Sequence, residues 1–205
     1  MFSSIGKYAP CGIFTKGHFA LIGITIIGIY VALKHTIKKS KEEIYEIIKK
    51  ITIVVCVLEA FKIIYSISLN SLYEVNTYLP LYYCSILMYA GLLSSFGKGK
   101  FQRAGDVFLM VGSAVGGIVF ILYPSTSLPT YPAFHILSIH SFLYHGIMVY
   151  LGILVNKTRY IELEKQDIKY FASLVGILCI IAFIINNIFR QQLNVYITKF
   201  FYYAN

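Results

Sequence analysis

The feature that most constrains the fold of this chain is a series of six long apolar runs within 205 residues. A helix that crosses the hydrocarbon core of a bilayer needs about 20 mostly apolar residues. The runs approach that length, and they cover approximately residues 18–33, 51–69, 79–96, 107–123, 133–155 and 168–188. The pattern predicts an all-α, polytopic transmembrane helical bundle with six spans, which forms a single integral membrane domain over residues 1–205.

The composition of the chain supports this interpretation. Hydrophobic residues make up 58% of the sequence and charged residues 13%, whereas soluble domains have about 25% charged residues. A soluble domain of this size must expose its surface to water, so it could not hide this much apolar surface. Ile, Lys and Tyr are abundant, which is typical of an AT-rich bacterial genome. We therefore expect a multi-pass protein of a bacterial plasma membrane.

The formal net charge of +9 has two possible interpretations. In a soluble protein, such an excess of Lys and Arg would suggest binding to nucleic acid. No stretch of the sequence combines basic and aromatic residues as a nucleic-acid platform does, so no nucleic-acid partner is predicted. Basic residues between apolar runs are instead typical of loops on the cytoplasmic side of a membrane.

The orientation of the bundle follows from where these basic residues lie. The second and fourth intervals between the runs contain neither Lys nor Arg. The positive-inside rule then places the other three intervals in the cytoplasm and both termini outside, in agreement with an even number of spans. The first run lacks a small-residue cleavage pattern, so we expect it to be retained as a span. The basic residues in or beside the three cytoplasmic intervals are Lys34, Lys38, Lys39, Lys41, Lys49, Lys50, Lys98, Lys100, Arg103, Lys157, Arg159, Lys165 and Lys169.

Ionisable side chains at membrane depth are candidates for function, because placing them there is costly. Glu59 and Lys62 are three residues apart in the second run, and are therefore neighbours on one helix surface. Cys56, Ser66 and Asn70 share the same third of the circumference. We expect this face to look into the bundle, either as a self-neutralising pair that holds neighbouring helices or as part of a site.

Histidines distinguish the fifth run. His135, Ser138, Ser141 and His145 share one helix face, whereas His140 projects to the opposite side among apolar residues. A histidine inside a membrane can be an interhelical hydrogen bonder or a general base. Because His145 belongs to the polar stripe, it is the better candidate for a base.

The third run opens with Leu79-Pro80-Leu81-Tyr82-Tyr83-Cys84. Proline suits the first turn of a helix, which predicts that Cys84 lies about one turn below the outer surface. Tyr82 and Tyr83 fit an interfacial aromatic belt. A buried cysteine is usually a small, inert hydrophobic residue, and only an activating partner makes it a nucleophile.

No metal, cofactor or disulfide framework is predicted. The four cysteines contain no C-x-x-C pattern and no cluster with the spacing of a zinc site.

Depth along the predicted helices separates the candidate residues. Two sets of residues are expected at different depths. The outer half should contain Cys84, His135, His140, Asn186 and Asn187, and the middle should contain Glu59, Lys62 and His145. With a rise of about 1.5 Å per residue, Cys84 and His145 would differ in depth by about 10 Å. Helix tilt and kinks could close part of that difference.

The motifs together resemble those of the YwaF-like family of bacterial multispan membrane proteins, which is related to a eukaryotic family of membrane phospholipid acyltransferases. The resemblance covers nearly the whole chain and depends on the order of five short motifs. These are Gly17-His18, Leu58-Glu59, Leu79-Pro80-Leu81-Tyr82-Tyr83-Cys84, Ser141-Phe142-Leu143-Tyr144-His145-Gly146 and Asn186-Asn187.

The resemblance implies acyl transfer between phospholipids, with Cys84 as the nucleophile and His145 as the base. Tyr82 departs from the family pattern, which often has histidine there. Asn186 or Asn187 would donate a hydrogen bond to the developing oxyanion, and Glu59 and Lys62 would orient or charge-balance His145. Membrane lipids are the expected partners.

Two alternatives remain open in the sequence. Ser138 and Ser141 flank His145, so the nucleophile of related chemistry could be a hydroxyl group. A non-catalytic protein that binds or transports a lipid or small molecule would also place polar residues along a path or pocket. Against transport, the sequence has no inverted repeat and no pair of broken helices in matching positions. The identity of the acyl donor and acceptor and the oligomeric state are not written in the sequence.

Overall fold

The structure is a computed structural model that describes residues 8–69 and 79–203, with side chains for 8–68 and 79–188. The described residues form α-helices and one short 3-10 helix, and no strand occurs among them. Asn70, predicted on the Glu59 face, lies outside the described residues. In chain order the elements are α1 (Lys16–Thr36), α2 (Lys41–Leu69), η1 (Tyr83–Ser85), α3 (Ile86–Phe96), α4 (Lys100–Met110), α5 (Gly112–Leu122), α6 (Ile136–Lys157) and α7 (Asp167–Tyr203).

The predicted all-α membrane bundle is confirmed, with one correction to the number of full-length spans. Five helical segments are long and apolar enough to cross a bilayer, and the third predicted run forms a shorter apolar helix over Tyr83–Phe96. The outward faces of the bundle are apolar, as expected in a lipid environment. Exposed residues on them include Ile24, Ile27, Val57, Ile64, Ile177 and Ile180. The five long segments are Lys16–Thr36, Lys41–Ser68, Lys100–Leu122, Ile136–Lys157 and Asp167–Ile188.

The third run is short because its helix begins later than predicted. Pro80 precedes the helix instead of lying in its first turn, and the Leu81 amide donates to the Leu79 carbonyl across it at 2.8 Å. This i to i+2 bond is a tight turn that ends before the helix starts. As a result, Cys84 lies in η1, immediately ahead of α3.

Helix α6 is the centre of the bundle. It packs against α1, α2, α4 and α5, and most of its residues from Ser138 to Val155 are buried. His140 and His145, predicted on opposite sides of this helix, are both buried at 6% exposure. With protein on most sides of the helix, the opposite faces contact different neighbours instead of protein and lipid.

Helices α5 and α6 approach each other very closely. A Cβ atom on Gly117 would lie 2.8 Å from the His145 carbonyl oxygen, and one on Gly152 would lie 2.6 Å from the Ala114 Cβ. Small residues at such positions allow helix backbones to meet, as in other membrane bundles. The contact fixes the backbone of His145 against α5.

A break at Val111 separates α4 from α5, and neighbouring elements satisfy the carbonyl groups on both sides of it. The Asn156 side chain of α6 donates to the Met110 carbonyl at 3.0 Å. The Tyr83 hydroxyl of η1 donates to the Gly112 carbonyl at 3.2 Å. Interruptions of a membrane helix are tolerated when neighbours satisfy the freed backbone groups. The break therefore ties together α6 and η1, the elements that carry His145 and Cys84.

Charged side chains tie the helices together at the opposite end from Cys84. Arg103 of α4 makes a bidentate ion pair with Asp167 of α7, at 2.8 Å from Nε and 2.6 Å from a terminal nitrogen. Ser94 of α3 donates to the Asp106 carboxylate of α4 at 2.5 Å. Fork-shaped guanidinium–carboxylate pairs fix orientation as well as distance, so the starts of α4 and α7 are held at the same level.

Replacement of Gly105 by alanine is expected to destabilise the α3–α4 hairpin. The added Cβ would lie 2.4 Å from the Ala90 carbonyl oxygen and 2.5 Å from the Ser94 amide nitrogen. Both are backbone atoms, so the helices must separate, at a cost of about 1–3 kcal/mol. Thermal unfolding in detergent micelles measures the change. Gly23→Ala is the control, because its Cβ meets nothing within 4 Å. Equal stability of the two variants would contradict the close hairpin.

Candidate functional site

Cys84 is held in place by the residues on either side of it. The Tyr83 hydroxyl anchors η1 to the break in α4–α5, and the Ser85 amide donates to the Tyr82 carbonyl at 2.9 Å. Cys84 is a free, half-buried thiol that packs against the main hydrophobic core. It is the middle residue of η1, the short helical segment that leads into α3.

A buried ion pair on α2 lies next to Cys84. The Lys62 ammonium is 2.5 Å from Glu59 Oε1, and the side chain of Glu59 is 4% exposed against 22% for Lys62. Ser85 Oγ donates to the same carboxylate oxygen at 3.5 Å. The carboxylate therefore connects α2 to the residue that directly follows Cys84.

His140 joins this group from α6. Its Nε2 donates to the Leu58 carbonyl at 3.0 Å, one residue before Glu59. His140 therefore lies at the same level of the bundle as Glu59.

His145 is oriented by its own helix and by α5. Its Nδ1 lies 2.7 Å from the Ser141 carbonyl oxygen, which can only accept a hydrogen bond, so Nδ1 carries the proton. In the neutral ring, Nε2 then holds the lone pair that a general base needs. The imidazole stacks on Phe120, with 3.6 Å between ring centroids. The carbonyl of Ser141 orients this ring, in place of the predicted Glu59.

Lys62 is the group that connects the candidate residues electrostatically. Its ammonium lies within interaction range of Cys84, His140 and His145. The described structure contains no hydrogen bond between Cys84 and His145. The two residues predicted as nucleophile and base thus share one neighbouring cation but are not hydrogen-bonded to each other.

A cleft of about 170 Å³ opens beside η1. It lies between the segment that precedes η1 and the described outer part of α7. Its lining residues are Leu79, Leu81, Tyr82, Ile185 and Asn186.

The two predicted asparagines occupy different positions relative to this cleft. Asn186 lines it, whereas Asn187 is exposed and donates to the Phe183 carbonyl of its own helix at 2.9 Å. Tyr82 also lines the cleft and is 52% exposed. Asn186 and Tyr82 are therefore the predicted residues closest to an opening near Cys84.

The serines that flank His145 have other surroundings. Ser138 is fully buried, and its hydroxyl has no hydrogen-bond partner among the described residues. Ser141 is half-buried and contributes its backbone carbonyl to His145. Neither hydroxyl is paired with the His145 ring.

Sequence reasoning missed Ser85 and Tyr144. Tyr144 is 2% exposed and lies within electrostatic range of Glu59 and Cys84. Serine and tyrosine are common in apolar helices, so neither stood out in the pattern. Their positions in the sequence could have indicated them, because Ser85 directly follows Cys84 and Tyr144 directly precedes His145.

The described residues contain no group of three or more His, Cys, Asp or Glu side chains that could hold a metal ion. Cys84 has Lys62 and Glu59 nearby, a charge pair instead of a ligand set. The chemistry that this arrangement can perform with its own groups is nucleophilic and acid–base.

Comparison with known proteins gives one match. The sequence model of the TMEM164 family matches residues 13–199, which covers every element described above from α1 almost to the end of α7. No curated protein and no solved structure matches the chain.

Replacement of Lys62 by methionine is expected to destabilise the protein. It leaves the buried Glu59 carboxylate without its cation, which typically costs about 3 kcal/mol or more. The double variant Glu59→Gln/Lys62→Met removes both charges and should recover most of the loss. Thermal unfolding of the wild type, both single variants and the double variant measures the coupling. Additive effects of the two substitutions would contradict a coupled buried pair.

Proposed function

We propose, since the chain belongs to the TMEM164 family of membrane proteins, that it transfers acyl chains between membrane lipids, with Cys84 as the nucleophile. The position of Cys84 carries the proposal. It lies in η1, two residues after Tyr82, which lines the cleft, and directly before Ser85, which donates to the buried Glu59 carboxylate. The resemblance to the YwaF-like family and its acyltransferase relatives favours the same chemistry.

In the first step, Cys84 Sγ forms a bond to the carbonyl carbon of a lipid ester. The ester C–O bond breaks, the acyl chain remains on sulfur as a thioester, and the lysolipid leaves with a proton. The Lys62 ammonium stabilises the thiolate that attacks, because opposite charges interact strongly in a medium of low polarity.

In the second step, the hydroxyl of an acceptor lysolipid attacks the thioester. His145 Nε2 takes the hydroxyl proton, the new ester forms, and Cys84 is released as a thiolate. The same nitrogen accepts the thiol proton before the first step and returns it to the leaving lysolipid. Since Cys84 and His145 are not hydrogen-bonded to each other, this proton crosses through a bound water or substrate hydroxyl.

The cleft beside η1 is the proposed entry for the lipid. Leu79, Leu81 and Ile185 provide apolar walls, and the Asn186 amide and Tyr82 hydroxyl provide hydrogen bonds. Such a combination suits an amphipathic ligand, whose polar ester lies next to its acyl chain. The amide of Asn186 would hold the ester region near Cys84.

We further propose that the protein lies in a bacterial plasma membrane with the first, third and fifth intervals in the cytoplasm. The Arg103–Asp167 ion pair supports a common side of the membrane for the third and fifth intervals, and the positive-inside rule assigns that side to the cytoplasm. Cys84 would then face the outer leaflet.

Labelling of single cysteines tests this orientation. In a cysteine-free variant of the chain, Ser40→Cys should be protected from an impermeant maleimide applied to intact cells. Ser125→Cys, in the fourth interval, should react with it. Both serines are exposed, so burial does not confuse the comparison. The reverse pattern of labelling would show that the orientation is wrong.

Trapping of the acyl-enzyme tests the chemistry. Purified protein in vesicles with deuterated acyl chains should form a deuterated thioester on Cys84, detected by mass spectrometry of the intact protein. Cys84→Ala should abolish it, because no other group forms the bond. His145→Ala should slow its formation by about 10²–10⁴-fold, the usual contribution of a general base.

Cys56→Ala is the matched control. It removes a second half-buried thiol on the face of α2 that carries Glu59, and it should acylate at the wild-type rate. Acyl exchange that continues unchanged in Cys84→Ser and His145→Ala would overturn the proposal. Lipid binding without any acyl exchange would favour the alternative, a non-catalytic lipid-binding or transport protein.

A further inference from the structure

The hydroxyl of Tyr144 is a buried hydrogen-bond donor that the fold leaves unused. The residue is 2% exposed, and its hydroxyl has no hydrogen-bond partner among the described residues. A buried hydroxyl without a partner costs about 1–3 kcal/mol. Native structures rarely contain such groups, and each one calls for an explanation. A ligand that accepts the hydrogen bond would explain this one.

The surroundings of Tyr144 are those of the proposed site. Its ring is near the rings of both His140 and His145, with centroid distances of 5.9 and 5.8 Å. The hydroxyl is within electrostatic range of Glu59 and Cys84. The unpaired Tyr144 hydroxyl therefore belongs to the same group of side chains as Cys84, the proposed nucleophile, and His145, the proposed base.

Packing prevents Tyr144 from finding another partner. The residue is part of the main core cluster, together with Leu87, Met148 and Leu151. Buried serine hydroxyls, such as that of Ser138, can rotate toward a carbonyl of their own helix. The Tyr144 hydroxyl oxygen lies at the far end of a rigid ring and cannot reach a carbonyl of its own helix. Its position in the bundle is therefore fixed by the packing of the ring.

We propose that Tyr144 donates a hydrogen bond to the carbonyl oxygen of the bound acyl ester and stabilises the oxyanion that forms during attack. This inference rests on the proposed acyl transfer. As Cys84 Sγ forms the C–S bond, the carbonyl π electrons move to oxygen, and the Tyr144 O–H bond points to that charge. The oxyanion then collapses, the C–O bond to the lysolipid breaks, and Tyr144 keeps its proton throughout.

Tyr144 suits this role better than the asparagine predicted from the sequence. Asn186 is exposed, so water competes for its amide. Tyr144 lies in a dry environment and is already oriented, the condition under which a hydrogen bond to a developing charge contributes most to catalysis. Asn186 would then position the lipid at the cleft, while Tyr144 acts on the reacting oxygen.

The substitution Tyr144→Phe tests the inference, because it removes the hydroxyl and keeps the ring. The probe is a vesicle of phosphatidylethanolamine and phosphatidylglycerol with deuterated acyl chains, presented to the full-length protein. The rate of single-turnover acylation of Cys84 should fall by about 10²–10³-fold, as when one oxyanion donor is lost. The lipid concentration at half-maximal rate should change little. The thermal unfolding temperature should stay equal or rise, since no hydrogen bond within the protein is lost.

Tyr150→Phe is the matched control on the same helix. Tyr150 is also buried, but its hydroxyl donates to Thr36 Oγ1 at 3.0 Å. This variant should lose thermal stability and acylate Cys84 at the wild-type rate. The two variants thus separate a hydroxyl that serves the fold from one that serves the substrate.

Three outcomes would overturn the inference. Acylation of Tyr144→Phe at the wild-type rate, with Cys84→Ala inactive, would reject the role of Tyr144 and leave the proposed function standing. A clear loss of stability in Tyr144→Phe would show that the hydroxyl has a partner in the protein. Wild-type protein that never acylates would reject the proposed function and this inference together.

Discussion

The arrangement around Cys84 depends on the interactions of the buried Glu59 carboxylate. A lone carboxylate at this position would be very costly in a bilayer, so the neighbouring elements must supply its partners. Lys62 does so from the same helix and Ser85 from the helical segment that begins beside Cys84. One charge thereby sets the position of α2 relative to η1, and the backbone bond from His140 to Leu58 adds α6 to the group.

The second constraint is the close contact between helices. Because lipid tails are as apolar as the side chains, the hydrophobic effect does not hold helices together in a membrane, and van der Waals contact must do so. Glycines at α5–α6 and α3–α4 bring backbones together until a single Cβ atom would collide. Contacts this close leave little freedom to the side chains between them. The contact at Gly117 fixes the backbone of His145, and the Ser141 carbonyl orients its ring.

The fold class could be predicted from the apolar runs because the bilayer dictates both their length and their helical form. The sequence could not predict that Pro80 would delay the third helix, since proline is tolerated both before a helix and in its first turn. Periodicity placed His140 and His145 on opposite sides of α6 but could not show that both sides are buried, because that depends on how many helices surround α6. In the structure Cys84, Glu59 and Lys62 are near one another. The hydrogen bond from Ser85 to Glu59 and the unpaired hydroxyl of Tyr144 could not be predicted, because they depend on tertiary packing, which the spacing of residues along the chain does not encode.

The break at Val111 has a mechanical consequence. A thicker bilayer favours longer, straighter helices, and straightening of this segment would strain the bonds from Asn156 to Met110 and from Tyr83 to Gly112. These two bonds tie the break to α6, which carries His145, and to η1, which carries Cys84. A change in membrane thickness would therefore change the distance between His145 and Cys84. The composition of the surrounding lipids, which sets the bilayer thickness, would in this way influence the geometry around Cys84 and His145.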